Sequence, residues 1–283
     1  MGVSVSVIIP ALNEAESLPH VLARIPRDVY EVILVDGHST DGTADVARAA
    51  MPDIRVVTQE GRGKGAALRA GFAAATGDII VHLDADGSTP PEEIPAFVAA
   101  LVDGADYAKG SRFAPGAGTD DMTPLRKLGN GFFVTLTNVL FGSRFTDITY
   151  GYNAVWRRHQ DKLALEIDGW AHEIIGNIRT HRHGLRIVEV PSWEMPRVAG
   201  IAKLGTFSAG WSILMAILNE RFQPVPVTSP ALATDADGYR EMVMVPVVPD
   251  QMESALSMSM MSFEPEEGQL VAAGPGTTEL QLS

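Results

Sequence analysis

The most informative stretch of this chain is Gly77-Asp78-Ile79-Ile80-Val81-His82-Leu83-Asp84-Ala85-Asp86-Gly87-Ser88. An apolar run, typical of a buried strand, ends there in two carboxylates that are two positions apart. Because successive strand residues point to opposite faces, Asp84 and Asp86 can face one ion at the carboxyl edge of the strand. Carboxylate oxygens suit Mg²⁺ or Mn²⁺, and such an ion keeps positions open for substrate phosphates. An ordinary acidic turn is the alternative interpretation of the same spacing.

Strands and helices alternate on both sides of this stretch. The apolar patterns predict strands over residues 3–9, 31–35, 54–58, 78–83 and 105–109, and helices over residues 17–24, 41–50, 64–75 and 91–101. Repeated strand–helix–strand units indicate an α/β fold, with a mostly parallel, Rossmann-like central sheet and helices on both faces. Ligands of such sheets bind at the carboxyl ends of the strands.

Polar clusters follow four successive predicted strands, and they lie in residues 10–14, 36–43, 61–65 and 84–86. We expect them to assemble one polar crevice. Asp36 can accept hydrogen bonds from a base or a ribose, and Lys64, near a helix N-terminus, can meet phosphate. Taken singly, each cluster is also explained as a turn or a helix cap, with Asp41 as the expected cap of the helix that follows it.

The composition is that of a soluble globular chain with one sizeable core. The 283 residues are 46% hydrophobic and 20% charged. Cysteine is absent, so no disulfide framework is expected. The first ten residues lack the pattern of a signal peptide, and no apolar run of about eighteen residues predicts a membrane span.

Charge is unevenly distributed along the chain. The net charge is −13, and residues 223–283 hold nine acidic residues against one basic residue, Arg240. A proline-rich run opens this region. We therefore predict a single domain over residues 1–222 and an acidic, Met/Pro-rich, disordered tail over residues 223–283. The acidity argues against nucleic acid as a partner.

The ordered set of motifs resembles the family 2 glycosyltransferases of the GT-A fold. The matching pieces are Val7-Ile8-Ile9-Pro10-Ala11-Leu12-Asn13-Glu14, Val35-Asp36, Ser39-Thr40-Asp41-Gly42-Thr43, Gly63-Lys64-Gly65 and Asp84-Ala85-Asp86. The second half is most similar to the dolichol-phosphate (polyprenyl-phosphate) mannose synthases and their glucose-transferring relatives. That similarity is carried by Lys109-Gly110-Ser111-Arg112-Phe113, Pro124-Leu125-Arg126-Lys127, Thr146-Asp147, Glu189-Val190-Pro191, Arg197 and Ala202-Lys203-Leu204.

The resemblance implies a metal-dependent, inverting transfer of mannose or glucose. The donor would be a GDP- or UDP-linked nucleotide sugar, the acceptor a polyprenyl phosphate, and the cofactor Mg²⁺ or Mn²⁺ on Asp84 and Asp86. Arg112 and Arg126 align with positions that hold the acceptor phosphate, and Asp147 would orient the sugar or the acceptor loop. The donor-binding positions that follow from the motifs are Pro10, Asn13, Glu14, Asp36, Asp41, Lys64, Ala85, Arg197 and Lys203.

Two apolar segments, residues 127–141 and 207–222, can lie at a bilayer interface or be buried amphipathic helices. The resemblance favours a cytoplasmic protein in peripheral contact with the inner face of the membrane. The lipid would then be reached at the membrane surface or through a membrane partner protein. The motifs after Asp86 depart from the family, because Gly87-Ser88 replaces the usual Leu-Gln and Tyr150 and Tyr152 enlarge the usual Ser-Gly-Phe stretch.

Three other functions stay open on the sequence. A soluble hydroxyl acceptor would need a carboxylate base, for which Glu173 is the candidate. A non-catalytic nucleotide-sugar-binding protein would bind the donor without turnover. A nucleotidyltransferase is disfavoured, because the glycine-rich loop expected after the first strand is missing.

Overall fold

The computed structural model of the chain describes residues 2–163, 166–169, 171–199, 206–224 and 243–244. These residues belong to one compact unit that extends to residue 247. The strands are β1 Val5–Ala11, β2 Glu31–Asp36, β3 Arg55–Thr58, β4 Ile79–His82, β5 Tyr107–Ser111, β6 Gly118–Thr119, β7 Asn153–Trp156, β8 Ile187–Pro191, β9 Trp193–Glu194 and β10 Val243–Met244.

The α-helices of the described chain alternate with these strands. They are α1 Leu18–Leu22, α2 Thr43–Ala50, α3 Lys64–Ala74, α4 Ile94–Val102, α5 Pro124–Phe141, α6 His172–Arg182 and α7 Thr206–Phe222. Short 3₁₀ turns cover Pro91–Glu93 and Arg157–Lys162. None of the helices in the described ranges combines the length and the apolar character that crossing a bilayer requires.

The described strands form a main sheet in the order β10-β8-β5-β7-β4-β1-β2-β3, with β6 and β9 paired separately. Every pairing in the main sheet is parallel except those of β7, which runs antiparallel to both β4 and β5. The predicted α/β class and mostly parallel sheet are confirmed. The antiparallel strand was not predicted, because periodicity within one strand carries no information about its direction.

Helices cover both faces of the sheet, as predicted. Val7 and Ile9 of β1 join one apolar core, which includes residues of α1, α2 and α4. Ile8, on the opposite face, joins a second core with residues of α3, α6 and α7. The alternation follows from the two-residue period of a strand, and nearly continuous apolar strands are what a sheet buried on both faces needs.

The register brings the carboxyl ends of the strands to one edge. Ala11 of β1 lies opposite Asp36 of β2, which in turn lies opposite Thr58 of β3. Strand β4 ends at His82, so Asp84 and Asp86 lie in the turn beyond it and not on extended strand. The strand alternation that predicted a shared direction for the two carboxylates therefore does not apply, and the turn sets their positions.

Of the predicted tail, the structure describes Gln223, Pro224 and strand β10. The domain boundary at residue 222 and the disorder beyond it stay predictions. The predicted cap of α2 is corrected by one residue, since Gly42 occupies the cap position. The Asp41 carboxylate accepts the Thr43 N–H at 3.0 Å and the Ala15 N–H at 3.0 Å, so it ties two loops together.

Candidate active site

A cleft of about 1520 Å³ opens at the carboxyl edge of the sheet. It brings together many of the residues singled out in the sequence, because the loops that follow β1, β2, β3 and β4 all end there. The predicted site residues that line it are Pro10, Glu14, Lys64, Asp84, Ala85, Asp86, Arg126 and Arg197.

At the centre of the cleft, one lysine lies between two carboxylates. Lys64, the first residue of α3, places its Nζ 2.5 Å from Oδ1 of Asp84 and 2.5 Å from Oε1 of Glu173. Glu173 comes from the first turn of α6, where the helix N-terminus favours an anion. Lys64 and Glu173 are nearly buried, whereas Asp84 keeps 32% of its side chain open to the cleft.

The charges of this cluster depend on one another. Burial raises the pKa of Asp84 to about 6, helped by the Asp86 and Glu173 carboxylates and opposed by Lys64. Burial also opposes the charge of Glu173, but the Lys64 ammonium outweighs it and lowers the pKa of Glu173 to about 2. Lys64 itself has its pKa raised by its two carboxylate partners against the effect of burial. Glu173 is therefore an ionised partner of Lys64 and not a base poised near neutral pH.

The second carboxylate of the acidic pair has separate partners. Oδ1 of Asp86 accepts the Ser88 hydroxyl at 2.7 Å and the Ser88 N–H at 3.0 Å. Oδ2 of Asp86 lies 3.3 Å from Nη1 of Arg197. Ser88, where the resembled family has an amide side chain, therefore holds Asp86 through two hydrogen bonds.

Arg126, predicted at the acceptor phosphate, and Arg197, predicted on the donor side, share one acid. Asp121 lies 3.3 Å from Nη1 of Arg126 and 3.6 Å from Nε of Arg197. Arg126 lies in the first turn of α5, where the Thr123 hydroxyl accepts its backbone N–H and caps the helix. Both guanidinium groups are partly exposed to the cleft, so they are available to an anion entering it.

Arg112 and Asp147, predicted at the acceptor phosphate and acceptor loop, are buried together. Nε and Nη2 of Arg112 donate to the two Asp147 oxygens at 2.7 and 3.0 Å. Nη1 donates to Glu194 at 3.0 Å, and Nη2 also donates to the Thr149 hydroxyl at 2.8 Å. The guanidinium also lies 4.7 Å from the centre of the Tyr150 ring. The structure thus places Arg112 in an internal network beside the cleft, and its contact with an acceptor phosphate stays a prediction.

The remaining donor-side residues build the loops around the cleft. Asn13 adopts a left-handed conformation with φ 53°, and its side-chain oxygen accepts the Thr40 N–H at 2.8 Å. Asp36 accepts the Ser39 N–H at 3.2 and 3.3 Å, and the Ser39 hydroxyl accepts the Asn13 N–H at 2.9 Å. These contacts join the loops after β1 and β2. Lys203 lies outside the described residues, and the donor roles of all these residues stay predictions.

The glycine-rich loop that carries Lys64 is held against the segment before α6. The Gly65 N–H donates to the Asp168 carbonyl at 3.1 Å. A Cβ on Gly65 would collide with the Ile167 carbonyl oxygen, and Gly63 has φ 90°, a region that side chains disfavour. Glycine is therefore required on both sides of Lys64, and the backbone at Lys64 is fixed.

The outer part of the cleft is apolar. Leu125, Leu128 and Phe132 follow one another at helical spacing on α5, and all three line the cleft and are exposed. Trp211 of α7 faces the same opening and is 66% exposed. The cleft thus runs from charged residues at the sheet edge to exposed apolar side chains on two helices.

The donor set of the acidic pair fits a hard divalent cation. Asp84 and Asp86 present carboxylate oxygens to one cleft, and among the described residues no group of three or more acidic or histidine side chains forms a complete metal cage. Mg²⁺ is commonly bound by one or two carboxylates, which leaves coordination positions on the ion for substrate phosphates. Asp84 and Asp86 would hold the ion, as the sequence predicts.

The comparison with known families agrees with this geometry. The sequence profile of glycosyl transferase family 2 matches residues 6–161, which include the loops after β1 to β4 and the acidic pair. The chain belongs to glycosyl transferase family 2. The predicted family and the predicted class of enzyme, a glycosyltransferase, are confirmed.

Several relatives of this glycosyltransferase carry names that refer to lipid phosphates. The undecaprenyl-phosphate mannosyltransferase of Micrococcus luteus is 36% identical over 219 residues, which are 73% of this chain and 90% of that protein. The polyprenol monophosphomannose synthase of Mycolicibacterium smegmatis is 37% identical over 212 residues, 70% of this chain and 80% of that protein. The dolichyl-phosphate hexose transferase of Haloferax volcanii is 35% identical over 227 residues, which are 77% of this chain and 96% of that protein.

Solved structures show the same fold. The glucosyl-3-phosphoglycerate synthase of Mycobacterium tuberculosis, crystallised with UDP, has a TM-score of 0.63 at 27% identity, with 79% of this chain and 82% of that chain covered. A structure of that enzyme with Mn²⁺, UDP and glucosyl-3-phosphoglycerate has a TM-score of 0.61 at 27% identity. It covers 79% of this chain and 81% of that chain. The GT-A fold predicted for this glycosyltransferase is confirmed.

Three residues of the site were missed by sequence reasoning. Asp121 joins Arg126 to Arg197, Glu194 completes the partners of Arg112, and Gln59 lines the cleft. The Asp120-Asp121 pair, which two residues separate from a helix that begins with proline, was a usable signal for Asp121. Glu194 and Gln59 carry no local signal, because only the fold brings them to the site.

Proposed function

We propose that this glycosyltransferase transfers a hexose from a nucleotide sugar to a polyprenyl phosphate at a membrane surface. The observation that carries the proposal is the continuity of the cleft, in which the acidic pair and Lys64 lie at one end and exposed Leu125, Leu128 and Trp211 at the other. A sugar diphosphate suits the charged end. A lipid chain suits an exposed apolar exit, because burying apolar surface is favourable.

The names of the relatives support the same substrate class. Three proteins that are 35–37% identical to this chain are named for sugar transfer to undecaprenyl, polyprenol or dolichyl phosphate. We propose mannose or glucose as the sugar and GDP or UDP as its carrier. Peripheral contact with the inner face of the membrane, through α5 and α7, is part of the proposal, and a membrane partner protein is an alternative route to the lipid.

In the proposed reaction, an oxygen of the acceptor phosphate attacks the anomeric carbon as the bond to the nucleoside diphosphate breaks. This single displacement inverts the configuration at that carbon. A Mg²⁺ or Mn²⁺ ion on Asp84 and Asp86 would supply the positive charge that neutralises the leaving diphosphate. The acceptor phosphate is already anionic, so no strong general base is needed. Arg126 and Arg197 are positioned to bind phosphate, since guanidinium groups match its oxygens.

A soluble hydroxyl acceptor is the second candidate, because the solved relatives are glucosyl-3-phosphoglycerate synthases. Such an acceptor must lose a proton, and Glu173 is the carboxylate the sequence offered as base. Its ion pair with Lys64 lowers the pKa of Glu173 to about 2 against burial, which makes it a weak base. The lipid phosphate is therefore favoured.

The test is a two-phase transfer assay with the purified full chain. The protein is incubated with Mn²⁺ or Mg²⁺, polyprenyl phosphate and either labelled GDP-mannose or labelled UDP-glucose, and the label is counted in the organic phase. A parallel reaction replaces the lipid with phosphoglyceric acid. We expect label in the organic phase that requires the metal and is lost in Asp86→Asn.

The outcomes separate the candidates. Label transferred to phosphoglyceric acid and none to lipid would establish the soluble acceptor instead. Binding of the donor without any transfer in either phase would establish a non-catalytic role. Arg126→Met extends the assay, because a lipid phosphate acceptor predicts a loss of transfer in this variant, whereas a soluble hydroxyl acceptor that carries no phosphate predicts indifference to the change.

A further inference from the structure

We infer that Lys64 is the counter-ion of Asp84 when no metal is bound. A divalent cation that binds Asp84 displaces the Lys64 ammonium, which then pairs with Glu173 alone. In this arrangement Lys64 competes with the metal for Asp84, and Glu173 is the positioning residue that retains the displaced ammonium. The inference rests on the proposed function, because it takes Asp84 as a metal ligand. It goes beyond that function by assigning a role to an ion pair that the reaction itself does not require.

The Lys64 ammonium and a divalent metal ion cannot both contact the Asp84 carboxylate. The Lys64 ammonium lies 2.5 Å from Oδ1 of Asp84, within the region that a metal bound to this carboxylate would occupy. A metal–oxygen bond is only about 2.0–2.1 Å long for Mg²⁺. Even on the other oxygen of Asp84, a divalent ion would lie a few ångströms from the ammonium, where like charges repel strongly in a partly buried site.

The backbone on which Lys64 lies is closely packed and hydrogen-bonded. Gly65 donates to Asp168 at 3.1 Å, and Gly63 and Gly65 are packed so closely against the 167–168 backbone that neither could carry a side chain. The backbone of Lys64 is therefore fixed between two anchored glycines. The remaining freedom is rotation of its four-carbon side chain, which ends in a compact charge.

Glu173 offers the displaced ammonium a full ion pair without a large movement. Its Oε1 already lies 2.5 Å from the Lys64 Nζ, so breaking the contact with Asp84 leaves Lys64 with one carboxylate partner. Gly151 packs behind both groups, and a side chain there would collide with them. Lys64 thus stays in the cleft after displacement, since moving a nearly buried charge with no partner would be costly.

Substitutions of Lys64 and of Glu173 should shift the metal affinity in opposite directions. Lys64→Met keeps an unbranched side chain that is only one atom shorter and removes the competing charge, so Asp84 becomes free to bind metal. Glu173→Gln removes the second carboxylate partner of Lys64. The Lys64 ammonium then pairs with Asp84 alone, and a metal that binds Asp84 leaves it without an ion pair. A cluster that only stabilised the fold would not give opposite shifts in metal affinity.

The experiment measures Mn²⁺ binding to the full chain by the EPR signal of free Mn²⁺, with neither donor nor acceptor present. We expect Lys64→Met to tighten binding about tenfold and Glu173→Gln to weaken it several-fold, from the change of one nearby charge. Lys162→Met is the matched control. It removes the same charge from a 3₁₀ turn that follows β7 near the amino end of β4, away from the cleft, and should leave binding unchanged.

Two further measurements keep the test decisive. If Lys64→Met fails to fold, the double variant Lys64→Met/Glu173→Gln removes both charges of the pair, and it should bind Mn²⁺ more tightly than Glu173→Gln alone. Unchanged or weaker binding by Lys64→Met and the double variant, with wild-type binding lost in Asp84→Asn, would overturn this inference and leave the metal site standing. Absence of Mn²⁺ binding in the wild type and in every variant, with and without UDP or GDP, would overturn both this inference and the metal site of the proposed function.

Discussion

At the scale of single residues, two arginines with the same predicted role have different environments. Arg112 is 4% exposed and is shared between Asp147 and Glu194, whereas Arg126 is partly open to the cleft and contacts one acid at 3.3 Å. A buried charge that loses its partner is costly, but an exposed ion pair contributes little. The same residue type therefore contributes to folding at one position and is available for binding at the other.

We expect Arg112→Met to lower the free energy of unfolding by about 3–5 kcal/mol, because it leaves Asp147 and Glu194 buried without their partner. Arg126→Met should change it by less than about 1 kcal/mol and raise the KM for polyprenyl phosphate. Urea unfolding and the lipid transfer assay measure the two effects. A stable Arg112→Met protein with a raised acceptor KM would instead support the direct phosphate contact predicted from the sequence.

Among the glycines that the structure describes, Gly65 leaves the least space for a side chain. We expect Gly65→Ala to destabilise the fold by about 1–3 kcal/mol, because its methyl group would collide with the Ile167 carbonyl oxygen. Gly131→Ala is the matched control, since Gly131 lies inside α5 with nothing within 4 Å, and it should stabilise the helix by about 0.5–1 kcal/mol. Thermal unfolding compares them, and equal midpoints would show that the loop can move.

At the scale of elements, α5 and α7 form the apolar end of the cleft. Leu125, Leu128 and Phe132 lie on one face of α5, and Trp211 and Met215 are exposed on α7. The far end of α7 is anchored to α6, because Glu220 accepts hydrogen bonds from Arg179 and Arg182. The apolar faces are thus carried by helices that are fixed to the domain, which is what a surface for lipid contact requires.

We expect Leu128→Asp to reduce binding of the full chain to anionic phospholipid vesicles by at least about fivefold, because a 73% exposed apolar side chain becomes charged. Tyr30→Asp is the control, since Tyr30 is 63% exposed just before β2, at the opposite edge of the sheet. Vesicle co-sedimentation measures both. An equal loss of binding in the two variants would point to net charge and not to the α5 face.

At the scale of the whole molecule, stability depends on contacts that join distant segments. Glu93, in the turn before α4, accepts hydrogen bonds from the Ser192 hydroxyl and from the Trp193 N–H, the latter at 3.0 Å. Burial raises the pKa of Glu93 to about 7 from an ordinary value of 4.5 and outweighs the hydrogen bonds from Ser192 and Trp193, which lower it; Glu92 raises this pKa further and Arg24 lowers it. The protonated form is therefore the one that the fold prefers.

This preference predicts a pH dependence of global stability. Because the folded pKa is above the unfolded value, the stabilisation is complete below about pH 4.5 and is lost as the pH rises through about 7. Relative to Glu93→Gln, the wild type should lose about 3 kcal/mol of unfolding free energy across that window. Urea unfolding from pH 4.5 to 8 measures it, and a difference between the two proteins that is constant with pH would contradict it.

The fold could be predicted from the sequence because its main signals are local. The two-residue apolar period of β1 and the polar ends of successive strands need no information from elsewhere in the chain. Each motif between Asn13 and Asp86 is also a short continuous stretch of sequence, and the motifs follow one another in order. For these reasons the α/β class, the parallel sheet and the edge at which the cleft opens followed from the residues alone.

The family followed from the order of its motifs, but the partners of each charge did not. Lys64 is shared by Asp84 and Glu173, which are 20 and 109 positions away from it, and Arg112 is held by Glu194 from another strand. Such pairings depend on the crossover of strands and on which groups are buried together. A sequence pattern determines where a charged residue lies along its element, whereas tertiary packing determines which opposite charge it meets and therefore whether it binds a substrate or supports the fold.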